Sequence, residues 1–179
     1  MKKIIKLLNK KDLSSFIQSE EYQKMDNIPI SMHRALSHIN NPRLDEKDVI
    51  LLIAYIENKM VGYLGALPDK IFYKTKLERM AWLSCLWIDG NFRGQKIAFK
   101  LVESALKNWE NRILITEYTE PAKRLYEKTG QFKFLTIVLK DSIVESINLY
   151  SKSTEKEYNG IDFDSLSINK YKINISKKL

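Results

Sequence analysis

The sequence contains one cysteine, Cys85, in 179 residues. A single thiol excludes an internal disulfide and any multi-cysteine metal site, which fits a reducing compartment. The two histidines, His33 and His38, stand five apart on a helical segment. They do not share a helix face, so neither is expected to be a ligand and no metal is expected. Six glycines and four prolines exclude a collagen-like chain and a Pro/Gly-rich disordered one. No run approaches the roughly 20 apolar residues of a membrane span. Met1 to Lys6 starts like a signal peptide, but Lys6, Lys10, Lys11 and Asp12 interrupt the apolar stretch. The expectation is a cytoplasmic protein with no membrane contact. There is no internal repeat and no low-complexity segment.

What is present is enough chain for one domain with an appendage. The net charge is +8, from 30 Lys and Arg against 22 Asp and Glu. Asp141 to Leu179 holds six lysines and six acids, so the whole excess lies in residues 1–140. Such an excess attracts nucleic acid, an anionic membrane face or a phosphorylated cofactor. No block of basic residues interleaved with aromatics marks a nucleic-acid surface.

Residues 1–140 read as one domain and 141–179 as a C-terminal extension. Lys3 to Leu8 reads as a strand, and Asp12 is expected to cap a helix through Leu13, Phe16 and Ile17. Ser31 is expected to cap a second helix, which Asn40-Asn41-Pro42 ends. Val49 to Ile56 and Met60 to Leu67 form a hairpin around Glu57-Asn58-Lys59, with a loop from Leu67 to Lys76. Ala81 to Ile88 is a strand apolar enough to be buried on both faces. A helix of amphipathic period runs from Arg93 to Trp109. Arg112 to Tyr118 is a strand, and Pro121 opens a helix that Gly130 closes. Phe132 to Leu139 is a further buried strand. In the extension, Ser142 to Tyr150 has amphipathic helical character, and the alternation of Tyr171, Ile173 and Ile175 suits a last strand. The order is that of a mixed α/β layer architecture.

The informative junction is Leu86-Trp87-Ile88-Asp89-Gly90-Asn91-Phe92-Arg93-Gly94-Gln95-Lys96-Ile97-Ala98. An apolar strand ends, a polar turn follows, and basic residues open a helix. A helix start offers unpaired backbone N–H groups and a partial positive charge. Gly94 lets an anion approach the backbone, and Arg93, Lys96 and Lys100 add charge, which is the physics of a pyrophosphate cradle. A capped surface helix that carries basic residues has the same local pattern.

Arg93-Gly94-Gln95-Lys96-Ile97-Ala98 resembles the Arg/Gln-x-x-Gly-x-Gly/Ala signature of the GCN5-related N-acetyltransferases, the GNAT superfamily. Ala122-Lys123-Arg124-Leu125-Tyr126-Glu127-Lys128-Thr129-Gly130-Gln131-Phe132 is similar to that family's Ala-x-x-x-Tyr-Glu-x-x-Gly-Phe segment. Order and spacing also match, and the resemblance covers about Lys3 to Leu139. There are departures. Lys96 stands where the signature usually has glycine, Thr119 where many members have asparagine, and Gln131 is an extra residue before Phe132.

The resemblance implies a GNAT-like fold: a central mixed sheet flanked by helices, with the strands Ala81–Ile88 and Arg112–Tyr118 parallel and splayed at their C-terminal ends. It implies acetyl transfer from acetyl-CoA, as co-substrate, to a primary amine by direct attack in a ternary complex. Leu86, Trp87 and Ile88 would meet the pantetheine arm. Arg93, Gly94, Gln95, Lys96, Ile97 and Ala98 would meet the pyrophosphate, and Thr119 would be a further cofactor contact. Tyr126 would protonate the leaving thiolate. Glu117, on the strand facing the opening, is the candidate base, a relayed water being the alternative; Glu120 follows it, and Ser84 and Cys85 lie on the other splayed strand, Cys85 itself being expected as a buried, inert thiol. The acceptor is a small-molecule or peptide amine, and Arg34 with Arg43 would suit an anionic one or simply lie on the surface. No nucleic-acid partner is expected, and a homodimer is left open. Two other classes remain: a module that binds acetyl-CoA without turnover, favoured by Lys96 and Thr119, and a basic nucleic-acid-binding protein.

Overall fold

All six residues of Leu51–Ile56 are buried. A strand with no exposed face must be covered on both sides, and the layers of this protein are built around it. In a computed structural model of the chain, residues 3–73, 76–115 and 118–132 are described. The strands are β1 (Lys3–Leu8), β2 (Leu51–Ile56), β3 (Lys59–Tyr73), β4 (Lys76–Ile88) and β5 (Ile113–Leu114). The helices are α1 (Lys10–Ile17), α2 (Glu20–Gln23), α3 (Met32–Ile39), α4 (Ile97–Asn108) and α5 (Glu120–Thr129). The sheet order is β1-β2-β3-β4-β5. The first four strands are antiparallel neighbours, and β5 runs parallel to β4. This is the mixed α/β architecture expected, a mixed sheet with helices on both faces.

Side chains alternate across a sheet. Leu51, Ile53 and Tyr55 join Leu13, Phe16 and Ile17 of α1 and Ala35 of α3 in one core cluster. The opposite face meets α4, which packs on β2, β3 and β4 through its buried stripe Ile97, Leu101, Val102, Ala105 and Leu106. Gly62 sits on that second face. A Cβ there would stand 2.5 Å from Ile88 Cδ1 and 2.9 Å from the Trp87 carbonyl oxygen. Ile88 can move aside, but backbone cannot. Gly62→Ala is therefore expected to cost about 1–2 kcal/mol of stability, as overpacking does, read as a lowered denaturant midpoint. An unchanged midpoint would show that β4 yields freely.

Local end signals read from the sequence hold at several places. Ser31 caps α3 by accepting the Arg34 N–H at 3.4 Å, Pro121 lies in the first turn of α5, and Gly130 closes α5 in the left-handed conformation, φ 68°. Others need correction. The cap of α1 is Asn9, not Asp12. The Asn9 side chain accepts the Asp12 N–H at 3.0 Å while Asp12 accepts the Asn9 N–H at 3.4 Å, a capping box. Helix α4 starts at Ile97 rather than Arg93, because Gly94 and Lys96 both take positive φ, 79° and 61°, and cannot continue an α-helix. The short α2, capped by Ser19, went unread. The stretch Leu67 to Lys76, expected as a loop, belongs largely to β3 and β4, which pair from Leu67↔Trp82 out to Tyr73↔Lys76.

The strand Ala81–Ile88 is not buried on both faces throughout. Ala81 and Leu83 are buried, Trp82 and Leu86 to Ile88 are half-buried, and Cys85 is exposed. Two features explain this. Parallel pairing with β5 is confined to Ala81↔Ile113 and Trp82↔Leu114, with the Ala81 N–H on the Arg112 carbonyl at 3.0 Å. Beyond Trp82 this edge of β4 has no strand partner among the described residues. On the other edge, Ser84 pairs with Gly65 and Trp87 with Tyr63, so three residues of β4 span two of β3. The extra residue makes a β-bulge, and Cys85 takes φ 54° within it. The expected strand Arg112–Tyr118 is thus regular only over Ile113–Leu114 among the described residues, and Tyr118 is exposed. Glu117, most of the expected strand Phe132–Leu139, the readings of the extension and the proposed division at residue 140 lie outside the described residues. No described helix is long and apolar enough to cross a membrane.

Candidate functional site

Strand β4 ends at Ile88, and the chain turns at Asp89. The Asp89 carboxylate accepts the Asn91 N–H at 3.0 Å and meets Lys59 Nζ at 3.1 Å. These contacts, the Asn91 amide first, hold its carboxyl below the usual range. One 3-10 turn, Gly90–Phe92, follows. Gly94 and Lys96 then reverse the backbone through the left-handed region before Ile97 starts α4. A Cβ on Gly94 would meet nothing within 4 Å, so glycine serves conformation there rather than space. Lys96 adopts the conformation glycine takes freely, at a cost of about 1 kcal/mol.

No side chain caps α4. The first amides of a helix have no intrahelical acceptor, and the positive end of the helix dipole adds to them. They face a cavity of about 410 Å³ whose walls include Ile88, Phe92, Arg93, Gly94, Lys96, Ile97 and Ala98, with Phe99, Leu125 and Lys128. Among the described residues three cations and no carboxylate line it. The shape and charge suit a ligand with an apolar part and two or more negative charges.

Six residues read from the sequence as cofactor contacts therefore come together: Ile88, Arg93, Gly94, Lys96, Ile97 and Ala98. Gln95 is exposed, and its carbonyl oxygen accepts from Lys3 Nζ at 3.5 Å. Leu86 is half-buried on β4. Trp87 stacks on Tyr63 with ring centroids 5.4 Å apart. Thr119 is the exposed cap residue of α5 and makes no side-chain capping bond. Phe92, Phe99, Leu125 and Lys128 were missed. Lys128 follows Leu125 by three, the spacing that puts both on one helix face, and that was the available signal.

Tyr126 is 4% exposed and its ring packs on Phe132 with centroids 5.1 Å apart. Burial raises its phenol pKa above the ordinary value. On the α3 side of β4, the Arg34 guanidinium lies against the Cys85 thiol. Cys85 is exposed at the bulge rather than buried as expected, because the extra residue breaks the strand's alternation. Arg43, the other arginine offered for an anionic acceptor, is paired with Asp69, whose second oxygen accepts Trp82 Nε1–H at 2.8 Å. His38 is buried; burial and then the Arg34 charge lower its pKa, so it is neutral at physiological pH. Among the described residues no cluster of His, Cys, Asp or Glu is placed to hold a metal ion.

The model of the Acetyltransferase (GNAT) family matches residues 13–131. No curated protein matches the chain. Solved structures do. Glucosamine-6-phosphate N-acetyltransferase from Arabidopsis thaliana is similar with a TM-score of 0.52 at 15% identity, over 78% of this chain and 97% of that one. A protein described as a predicted acetyltransferase, with acetyl-CoA, from Clostridium acetobutylicum is similar with a TM-score of 0.52 at 18% identity, over 80% of this chain and 98% of that one. An aminoglycoside acetyltransferase from an uncultured soil metagenomic sample is similar with a TM-score of 0.50 at 20% identity, over 78% and 98%. At such identities the likeness is one of fold.

Proposed function

Because the chain belongs to the acetyltransferase (GNAT) family, we propose that it moves an acetyl group from acetyl-CoA to a primary amine by direct attack in a ternary complex. The observation that carries this reading is the cavity at the start of α4, where uncapped amides, two left-handed residues and Arg93, Lys96 and Lys128 converge. The residues fit the group. A diphosphate matches the amides and three cations, and the edge of β4 beyond Trp82, which has no strand partner among the described residues, leaves backbone groups near Leu86 to Ile88 for an extended amide-bearing arm. When bound, acetyl-CoA supplies an activated thioester. The chain's own part is to hold it at the fork between β4 and β5, to take a proton from the amine, and to give one to the departing sulfur.

Tyr126 is the proposed donor. Glu117 remains the proposed base, acting directly or through water. Lys96 takes a left-handed backbone conformation that glycine adopts freely and adds its side chain to the cavity wall, which supports cofactor binding at this position.

Two measurements test the reading. A screen of amine classes for acetyl-CoA consumption should find at least one acceptor. Arg93→Glu places an acid at the cradle and should weaken acetyl-CoA binding by about tenfold, equal to ~1.4 kcal/mol at an exposed ion pair. Calorimetry showing unchanged affinity would remove the cradle from the argument.

A further inference from the structure

We propose that the acceptor amine carries an anionic group, a carboxylate or a phosphate, and that Arg34 binds it; this rests on the acetyl-transfer reading above. The cradle occupies the α4 side of β4, so an acceptor reaches the fork from the face that α1 and α3 cover. Arg34 stands at that approach. From α3 it spans 51 residues of sequence to lie against Cys85 at the bulge, three residues beyond Trp82↔Leu114, the last described pair of β4 with β5.

Of the six arginines, three are held by carboxylates, and Arg34, like Arg93 and Arg124, is not among them. Arg43 is held by Asp69, Arg79 by Asp48 and Asp45, and Arg112 by Glu110. Arg34 has no carboxylate partner among the described residues, only a thiol. Two buried polar atoms nearby also lack hydrogen-bond partners among the described residues: Ser84 Oγ, next to Cys85, and His38 Nδ1, one helical turn from Arg34. His38 is 5% exposed. Tyr63 shares the electrostatic field of this group: burial raises its phenol pKa, Cys85 raises it further, and Arg34 opposes them. Its ring and that of Trp87 form an aromatic wall on the same face. An uncompensated guanidinium beside orphaned polar atoms and stacked rings recognises a small organic anion. Of the two arginines that the sequence offered for this task, the ion pair with Asp69 occupies Arg43 and leaves Arg34.

Cys85 gives a direct readout, since it is the chain's one cysteine and is exposed. Alkylation of the folded protein by uncharged iodoacetamide is followed by mass spectrometry, with phosphoethanolamine or glycine added, or ethanolamine and glycinamide, in which a neutral group replaces the anionic one. The expected result is that at least one amine bearing the anionic group slows alkylation several-fold and those lacking it do not. Phosphoethanolamine and glycine separate phosphate from carboxylate. Arg34→Gln should abolish the difference and Arg34→Lys should keep part of it. In turnover, Arg34→Gln should raise KM for the anionic amine by about 10- to 100-fold, the usual worth of a hydrogen bond to a charged group. The amine lacking the anionic group should be unaffected. Equal protection by amines with and without the anionic group, protection by none, or discrimination that survives Arg34→Gln overturns the proposal. If protection holds but no amine consumes acetyl-CoA, the acetyl-transfer reading fails and the anion site stands. If amines lacking the anionic group are acetylated as well as those bearing it, with or without Arg34, acetyl transfer stands and the anion site fails.

Discussion

Tyr126→Phe is expected to lower turnover by roughly ten- to a thousandfold, the lower part of that range applying if water replaces the phenol as donor. Phenylalanine keeps the ring, its burial and its packing against Phe132, and loses only the hydroxyl. Tyr126 follows Ala122 by four residues on α5, so the two share a face, and its neighbour Leu125 lines the cavity. Burial pushes the phenol pKa above its ordinary value, which keeps the group protonated at neutral pH and well into the alkaline range. The wild type should therefore show no loss of this donor until the pH passes the usual phenol range. Acetyl-CoA affinity and melting temperature should change little, because the buried apolar area is unchanged. The rate must be read at saturating amine with the chemical step shown to be limiting. Wild-type turnover in that assay reduces Tyr126 to a core aromatic. A sharp fall in melting temperature instead assigns the hydroxyl to a structural hydrogen bond.

The parts of this fold that were legible in the sequence are those fixed locally. Ser31, Pro121 and Gly130 mark helix ends because capping and φ depend on one residue and its near neighbours. Asn9 and Asp12 show the limit of that signal. Both residues can cap, they stand three apart, and the capping box uses both, so the start moves by three residues. Lys96 was illegible for a different reason. A lysine rarely takes positive φ, and the helical period of Ile97 to Trp109 extends backward through Arg93 unless that turn is known.

Beyond Leu67 the hairpin continues through Pro68 and Asp69, two residue types depleted in strands. Ala66 is the last residue of β3 to donate toward β2, to the Ile50 carbonyl at 3.0 Å. Pro68 is next on that side, where no strand follows, so its missing N–H breaks no ladder. Its carbonyl accepts from Asn41 Nδ2 at 2.8 Å instead. Of the candidate site, the loop Arg93 to Ala98 was readable because its residues are consecutive. Lys128 and Phe92 were not, since they reach the cavity only through the folding of α5 and of the turn after β4. Cys85 was misread because its burial was inferred from the apolar run Ala81 to Ile88, and the bulge at Cys85 turns that residue out of the regular strand.

Asp48→Ala is expected to cost about 3 kcal/mol of stability, the low end of the range for removing one partner of a buried ion pair. Asp48 is 4% exposed and pairs with Arg79 of β4. Its other oxygen accepts the Asp45 N–H at 3.0 Å. Arg79 also lies over the Trp109 ring, 4.5 Å from its centroid, and Trp109 Nε1–H reaches the Val49 carbonyl at 2.9 Å. One strut thus joins the approach to β2, the root of β4 and the C-terminal end of α4. Removing the carboxylate leaves the guanidinium against an aromatic face with only Asp45, at 3.2 Å, to answer it. That remaining partner, and the one-third exposure of Arg79, place the expected loss at the low end. For a chain of this length the shift in melting temperature is about 10 °C. The double variant Asp48→Leu with Arg79→Met should recover most of it, since apolar residues can replace a buried pair that neither residue can abandon alone. Because Arg79 lies two residues before Ala81, where β5 is held, the single variant should also loosen the fork, read as faster amide exchange at Ala81 and Ile113. A loss below about 1 kcal/mol, typical of an exposed pair, would show that water already reaches Asp48 and that the strut does not hold the fork.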